Sequence, residues 1–295
     1  MMTKLLFFVL FIFSATNFAQ KPERVTGEEI TGMLFRYKNF NSTFVETRNV
    51  DVWLPANYSK NKKYAVLYFH DGQNLFNPKD TYGGVDWNID ATLQRLMTEK
   101  KVRDTIVVGI WNTAKRTIEY SPQKAYDLVN HKGVKKSKYV TRQEGLSDKY
   151  LKFIVSELKP FIDKTYSTKP DRDNTFIMGS SMGGLMSLYA ISEYPQIFGG
   201  AGCVSTHFPL GEGVMIEYMK EKLPSPKNHK IYFDYGTETL DATYEPFQKK
   251  ADKVMKKKGY KKGRNWLTRK FEGEEHSEKS WRKRVDIPLE FLLGK

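Results

Sequence analysis

Residues Asn174 to Tyr194 read N-T-F-I-M-G-S-S-M-G-G-L-M-S-L-Y-A-I-S-E-Y. The apolar run Thr175, Phe176, Ile177, Met178 has the composition of a buried strand. A glycine- and serine-rich turn follows, Gly179 to Gly184. Leu185, Leu188, Tyr189 and Ser192 then recur at helical spacing, and Pro195 stops the helix. Strand, tight turn and helix is the setting in which G-x-S-x-G carries chemical information. Gly179 and Gly183 leave no Cβ where strand and helix must approach closely, so the turn is expected to be sharp and strained. Ser181 then stands at its tip with Oγ exposed. The Met182 N–H opens toward the same space, at the start of a helix where unpaired amides suit an anion.

Outward from this stretch the chain alternates strand-like and helix-like segments. Upstream, Gly32–Tyr37 and Phe44–Leu54 have the β-rich composition of an antiparallel hairpin. Tyr64–Phe69 and Thr105–Ile110 are continuous apolar runs, as expected of strands buried on both faces. Asp86 or Asn88 caps a helix to about Lys100, and Ser147 caps an amphipathic helix through Tyr166. Between them, Thr113–Gly145 shows no periodicity and has the length of a lid or binding loop. Downstream come strands at Gly199–Val204, Lys230–Tyr235 and Trp266–Phe271, with helices at Gly213–Lys222, Asp241–Lys258 and through Trp281 and Leu292. The pattern predicts an α/β fold, with a mostly parallel sheet covered on both faces.

The first nineteen residues have the form of a secretory signal: Lys4, an apolar core Leu5–Phe13, and Asn17-Phe18-Ala19 before Gln20. That core, about nine residues, is far short of the roughly twenty a spanning helix needs. The expectation is an exported chain without stable membrane insertion, secreted or periplasmic, with residues 20–295 as one domain. The single cysteine, Cys203, sits in an apolar run and reads as a buried, inert thiol. No zinc or calcium spacing occurs, so neither metal nor cofactor is expected. The formal charge is +14, with lysines concentrated at Lys132–Lys138 and Lys249–Lys262. No nucleic-acid motif accompanies that charge, so a solvated basic face or attraction to an acidic polysaccharide is expected instead of nucleic acid.

A serine nucleophile needs a base in reach, and the base needs an orienting acid. In α/β hydrolases these follow in the order Ser, acid, His. Of five histidines, His70 and His131 precede Ser181, and His229 lies at the wrong end of a strand. His276, in a polar loop after the last strand, is the expected base. His207 is expected at the crevice wall as a substrate contact. The acid should follow the Lys230–Tyr235 strand, where Asp234, Glu238, Asp241 and Glu245 compete. Asp241 is preferred because a helix start holds a carboxylate rigidly and keeps it ionised, with Glu238 as the alternative. Two aimed N–H groups must receive the oxyanion. Met182 offers one, and Gln73, after Asp71-Gly72, is the candidate for the other.

These segments resemble a known family. H-D-G-Q-N-L-F (from His70), W-N-I-D (from Trp87), R-T-I-E-Y (from Arg116), G-S-S-M-G-G (from Gly179) and H-S-E-K-S-W (from His276) look like the "putative esterase" family of α/β hydrolases. That family holds esterase D-type S-formylglutathione hydrolases, feruloyl and acetylxylan esterases, enterobactin-type esterases and mycolyltransferases. The resemblance covers nearly all the mature chain. It implies an α/β-hydrolase fold and a Ser–acid–His hydrolase, with nucleophile on Ser181, base on His276 and oxyanion donors on Met182 and the residue after Asp71-Gly72. Many relatives carry the acid in G-x-x-D. Counted from Gly236, that position is Thr239, so the acid falls on Glu238 or Asp241.

Export argues against formylglutathione chemistry. Aromatic residues at Trp87, Trp111 and Tyr120 can stack on a sugar or phenolic acyl group, and Arg116, Glu119, Tyr120 and Tyr126 are further candidate contacts. The favoured expectation is hydrolysis of acetyl or feruloyl-type esters on carbohydrate or plant-derived molecules. A siderophore esterase, an acyltransferase on the same site and a non-catalytic carbohydrate-binding relative are the alternatives. Acyl group, alcohol and oligomeric state stay open.

Overall fold

A computed structural model describes residues 21–131 and 145–294. The expected leader, residues 1–19, and the lysine run at 132–138 lie outside the described residues. The strands are β1 (Glu23–Val25), β2 (Met33–Phe40), β3 (Arg48–Leu54), β4 (Ala65–His70), β5 (Thr105–Ile110), β6 (Thr175–Ser180), β7 (Gly200–Val204), β8 (Lys230–Gly236) and β9 (Trp266–Phe271). Among the described residues they form one sheet in the order β1-β2-β3-β5-β4-β6-β7-β8-β9. The pairs from β1 through β3 to β5 are antiparallel, and from β5 to β9 all are parallel. This is the mostly parallel sheet with an N-terminal antiparallel hairpin that the sequence predicts. Strand β1 went unforeseen because three mostly exposed residues at an edge carry no hydrophobic alternation.

The helices are α1 (Ile89–Thr98), α2 (Arg116–Glu119), α3 (Gln123–His131), α4 (Ser147–Phe153), α5 (Lys159–Thr165), α6 (Met182–Glu193), α7 (Val214–Lys222), α8 (Glu245–Lys257), α9 (Glu278–Arg282) and α10 (Asp286–Leu293). A π-helical segment, Ile154–Leu158, joins α4 to α5. Two expectations fail here. Thr113–Gly145 is not structureless, since it contains α2 and α3. Ser147 does not cap its own helix; its Oγ accepts the backbone N–H of Gln123 at 3.0 Å, at the start of α3.

The central strands are apolar throughout because they feed two cores. In β4, Val66 and Tyr68 belong to one cluster, with α4 to α8, while Ala65, Leu67 and Phe69 belong to the other, with α1, α9 and α10. Every residue of β4, β5 and β6 is buried. The chain leaves β4 toward β5 on one side and later lays β6 on the other side of β4. Such a reversal opens a crevice at the carboxyl ends of the strands, the usual ligand position in open α/β sheets.

One ion pair ties the α2 segment to the hairpin. Arg48 on β3 and Glu119 on α2 are both fully buried and meet through bonds of 2.6 and 2.9 Å. The guanidinium also lies 5.2 Å from the Tyr150 ring centroid. Removing one member leaves the other charge buried and unpaired. Glu119→Ala is therefore expected to lower unfolding free energy by about 3–5 kcal/mol, and Arg48→Met with Glu119→Leu to recover most of that loss. Urea titration of the three proteins measures both effects.

Candidate active site

Strand β6 delivers Ser181 into a backbone conformation that ordinary residues avoid, φ 57° and ψ −118°, before α6 begins at Met182. Such a conformation costs on the order of 1–3 kcal/mol and persists only where its surroundings enforce it. The enforcement is local. Ser181 N–H donates to Val204 O at 2.9 Å, and Ser181 O accepts from Leu185 and His207 amides. A Cβ on Gly179 would stand 2.9 Å from the Gly183 carbonyl carbon, so the strand and helix backbones touch. A Cβ on Gly183 would press on His70 at 3.2 Å. Burial pushes the His70 imidazole down to about 3, and its Nδ1 meets the Tyr150 hydroxyl at 2.9 Å, so it packs behind the turn as a neutral ring.

Asp241 lies in a 3-10 turn, Thr239–Thr243, and not at the start of α8, which opens only at Glu245. The reason expected for its rigidity is therefore corrected. No helix end holds it. Its Oδ1 meets His276 Nδ1 at 2.6 Å, and its Oδ2 accepts from Ser205 Oγ and the Gly236 amide, each at 2.6 Å. Burial opposes its charge, but these three donors outweigh burial and hold the carboxyl below its ordinary range. Glu238 is exposed and its amide bonds Glu274 O, while Asp234 stays within β8 and pairs with Arg284 at 3.1 Å.

The loop after β9 reaches this position by lying across the end of β8. Glu274 O accepts the amides of Thr237 and Glu238, and the His276 amide donates to Thr239 Oγ1 at 2.9 Å. A Cβ on Gly236 would sit 2.0 Å from Glu274 O. Only glycine lets the two loops close. Behind them, Ser205 Oγ donates to Asp241 and receives Trp281 Nε1 at 3.0 Å and Arg284 Nη2 at 3.1 Å. Sequence reasoning missed Ser205, Trp281 and Arg284 as supports of the carboxylate. The one signal available was Ser205 directly after a buried strand.

On the other side, Asp71 adopts a left-handed conformation after β4, with φ 58°. Arg116 holds its carboxylate through two bonds of 2.7 Å, and Asn112 Nδ2 adds a third at 2.6 Å. A Cβ on Gly72 would collide with the Gly109 carbonyl carbon at 2.4 Å, so this glycine serves the approach to β5. Gln73 is buried, and its side chain accepts the Asn112 amide at 3.3 Å.

Ser180, Ser181, His276, Asp71, Asn74, Tyr82, Asn112, Arg116, Glu278 and Trp281 line one cleft of about 310 Å³. Ser181 and His276 thus share the cleft, and no hydrogen bond joins their side chains in this structure. Of the expected contacts, only Arg116 lines the cleft. Trp111 is corrected: its indole N–H donates to Asp51, and Arg36 stacks on its ring at 4.4 Å. His207 sits behind Ser181, with Nδ1 at 2.6 Å from the Tyr244 hydroxyl. Burial, then the neighbouring His276 and Arg116, lower its imidazole's affinity for a second proton. Tyr120 and Trp87 are core residues; Tyr120 is fully buried with its hydroxyl accepting the Asp71 amide, and Trp87 packs on Trp281. Glu119 is spent on Arg48. The aromatic residues that do line the cleft are Tyr82, 82 % exposed, and Trp281.

A carboxylate on Nδ1 fixes an imidazole's tautomer and leaves Nε2 able to take a proton from a neighbouring hydroxyl. A strained serine before a helix, in one cleft with such a ring, has the parts needed for acyl transfer. The chain matches the family described as "Putative esterase" over residues 42–287. It belongs to this family. Its fold is of the α/β-hydrolase type. It is 25 % identical over 258 residues to the uncharacterized protein YbbA of Bacillus subtilis, covering 84 % of this chain and 93 % of that one. It is also 26 % identical over 191 residues to an endo-1,4-beta-xylanase/feruloyl esterase of Xylanibacter ruminicola, covering 63 % of this chain and 22 % of the relative. A solved ferulic acid esterase superposes with a TM-score of 0.64 at 18 % identity, covering 90 % of this chain and 98 % of that one, a likeness of fold. Among the described residues no helix is long and apolar enough to cross a membrane.

Gly236→Ala is expected to separate His276 from Asp241 without unfolding the protein. Proton NMR should then lose the downfield Nδ1–H resonance of His276, while the thermal melt stays cooperative. The Asp241 carboxyl gives a second expectation. Its folded-state titration lies below the unfolded one, so the unfolded chain binds more protons as pH falls through about 4 and below. Its contribution to stability is thus present at neutral pH and lost in acid. The gap in unfolding free energy between the native protein and Asp241→Asn should shrink as pH drops below about 4, followed by denaturant titration at each pH.

Proposed function

We propose that this chain is an exported serine carboxylic-ester hydrolase, folded as one domain from residue 20 to 295, that removes acetyl or feruloyl-type acyl groups from carbohydrate or plant-derived esters. The observation that carries the reading is the 2.6 Å contact between His276 Nδ1 and Asp241 in a cleft shared with the strained Ser181. Ser181 Oγ attacks the ester carbonyl while His276 Nε2 takes its proton. The Met182 and Gln73 N–H groups receive the negative oxygen. His276 returns the proton to the departing alcohol. Water then attacks the acyl-enzyme by the same route and frees Ser181. Asp241, kept ionised by its donors, stabilises the imidazolium in both halves.

The substrate class rests on the cleft. Its volume of about 310 Å³ suits an acyl group up to a single aromatic ring. Tyr82 and Trp281 offer faces for stacking. The feruloyl esterase among its relatives supports the same class. The leader-like residues 1–19 support export.

Ser181→Ala is expected to lower aryl-acetate hydrolysis by at least about a thousandfold and to abolish labelling by a fluorophosphonate probe. Equal rates in the two proteins would sink the reading. A panel of acetylated xylan, feruloylated arabinoxylan and a siderophore trilactone then assigns the class, and preference for the trilactone overturns it. Acylated sugar as the main product, with a sugar acceptor present, would make the enzyme a transferase.

A further inference from the structure

The sheet has a second end, and a larger cavity stands there. Ser181, Asp71, Asp241 and His276 follow the carboxyl ends of β6, β4, β8 and β9. At the amino ends of β5 to β9 a pocket of about 510 Å³ is lined mostly by residues at or just before the starts of these strands. Strand β6, six residues at ~3.3 Å each, puts roughly 20 Å between the two openings. The mechanism uses nothing in this second pocket.

Its lining is strongly cationic. Arg103, Arg172, Lys227, Lys230, Lys261 and Arg264 face it, and among the described residues Asp173 is the one side-chain carboxylate that lines it. Asp173 is taken by the adjacent Arg172 at 2.7 Å. Among the described residues, the half-buried cations hydrogen-bond to neutral oxygens. Arg103 donates to the carbonyls of Leu293, Asp173 and Gly294 and to Asn174 Oδ1, and its guanidinium lies on the Phe176 ring at 5.3 Å. Lys230 reaches only Phe291 O, at 3.3 Å. Burial, and for Lys230 the nearby Arg103, lower the proton affinity of both groups. The buried His229 also lines the pocket and is fixed in place, its two ring nitrogens each facing a carbonyl oxygen at 2.8 Å, Ser225 O and Pro195 O.

Cations that outnumber the carboxylates in a concave, partly buried space destabilise one another, and an anion placed among them is stabilised by all of them. We propose that this pocket binds an acidic oligosaccharide segment through its carboxylate or sulfate groups. Arg103, Lys230 and His229 form its floor, and Lys261, Arg264 and Lys227 form its exposed rim. One anionic group leaves most of this charge unmatched, whereas the volume holds one or two sugar rings carrying two or more. The site stands apart from the esterase chemistry and does not depend on it.

The test is titration calorimetry at low salt, on the mature chain, with oligogalacturonate, a sulfated oligosaccharide, inorganic phosphate and a single-stranded oligonucleotide of equal charge. An acidic oligosaccharide is expected to bind, weakening as salt is raised. Lys261→Gln with Arg264→Gln should weaken it at least tenfold, as should Lys230→Gln in a protein whose thermal melt stays cooperative. Lys253→Gln with Lys257→Gln, on the separate basic groove between α7 and α8, should leave binding unchanged. Ser181→Ala should bind as well as the native protein. No binding by either saccharide overturns the proposal. So does binding that only the Lys253 and Lys257 changes reduce, or a tighter fit to the oligonucleotide. The carboxylated and sulfated arms tell which group the pocket takes.

Discussion

Ser181 is held where an L-residue gains nothing locally by staying. Its backbone angles carry a cost that only the surroundings can offset, and each neighbouring element contributes. The Val204 carbonyl takes its N–H, the His207 amide holds its carbonyl, and the contact of Gly179 with Gly183 leaves no room for a relaxed turn. Those contacts require β6 and β7 to stay paired and α6 to start at Met182. The apolar density of the central strands serves the same end, since two cores clamp the sheet from both faces. A serine hydroxyl projecting from so stiff a turn has little freedom left to lose, which suits the nucleophile proposed for this position.

The carboxylate side of the cleft is built on a different principle. Asp241 is immobilised by satisfied hydrogen bonds. Ser205 passes the Trp281 indole and the Arg284 guanidinium through one hydroxyl to Asp241. Arg284 is itself anchored by Asp234, whose charge burial alone would oppose. A buried polar chain of this kind is favourable only when its members are satisfied, because the low dielectric that strengthens each bond also raises the cost of a missing one. Arg284 still has two nitrogens without partners, and its stacking on Phe271 at 4.6 Å gives part of that charge a polarizable surface.

The sheet was legible because its strands are short apolar runs of regular spacing. The turn at Ser181 was legible because its strand, glycines and helix are contiguous in sequence. What was not legible depends on contacts between distant segments. Asp241 and Glu238 stand three positions apart in one loop, and only the path of the 3-10 turn sends one inward and the other to solvent. Ser205 and Arg284 are far apart in the chain and meet only because α9 and α10 pack under β7 and β8. Trp87, Trp111 and Tyr120 followed strands, where ligand contacts are common, yet the sheet buries two of them and Arg36 covers the third. An aromatic residue at the edge of a strand looks the same in sequence whether it faces a cleft or a core. Gly236 entered only as the start of a G-x-x-D count, while its real constraint is a carbonyl 38 residues later in the chain, at Glu274.

The parallel pairing of β4, β6, β7, β8 and β9 sets the spacing of everything that converges on the cleft. Each strand ends in one contributor: Asp71, Ser181, Ser205, the Gly236–Asp241 turn and the His276 loop. Neighbouring strands lie about 4.8 Å apart because peptide groups hydrogen-bond at that distance, whatever side chains they carry. The separation between these groups is therefore inherited from the peptide unit itself. Side chains along the sheet are free to drift so long as both cores remain filled. Chains of very different sequence can in this way keep the same ruler, and a likeness of fold at 18 % identity is what that ruler permits.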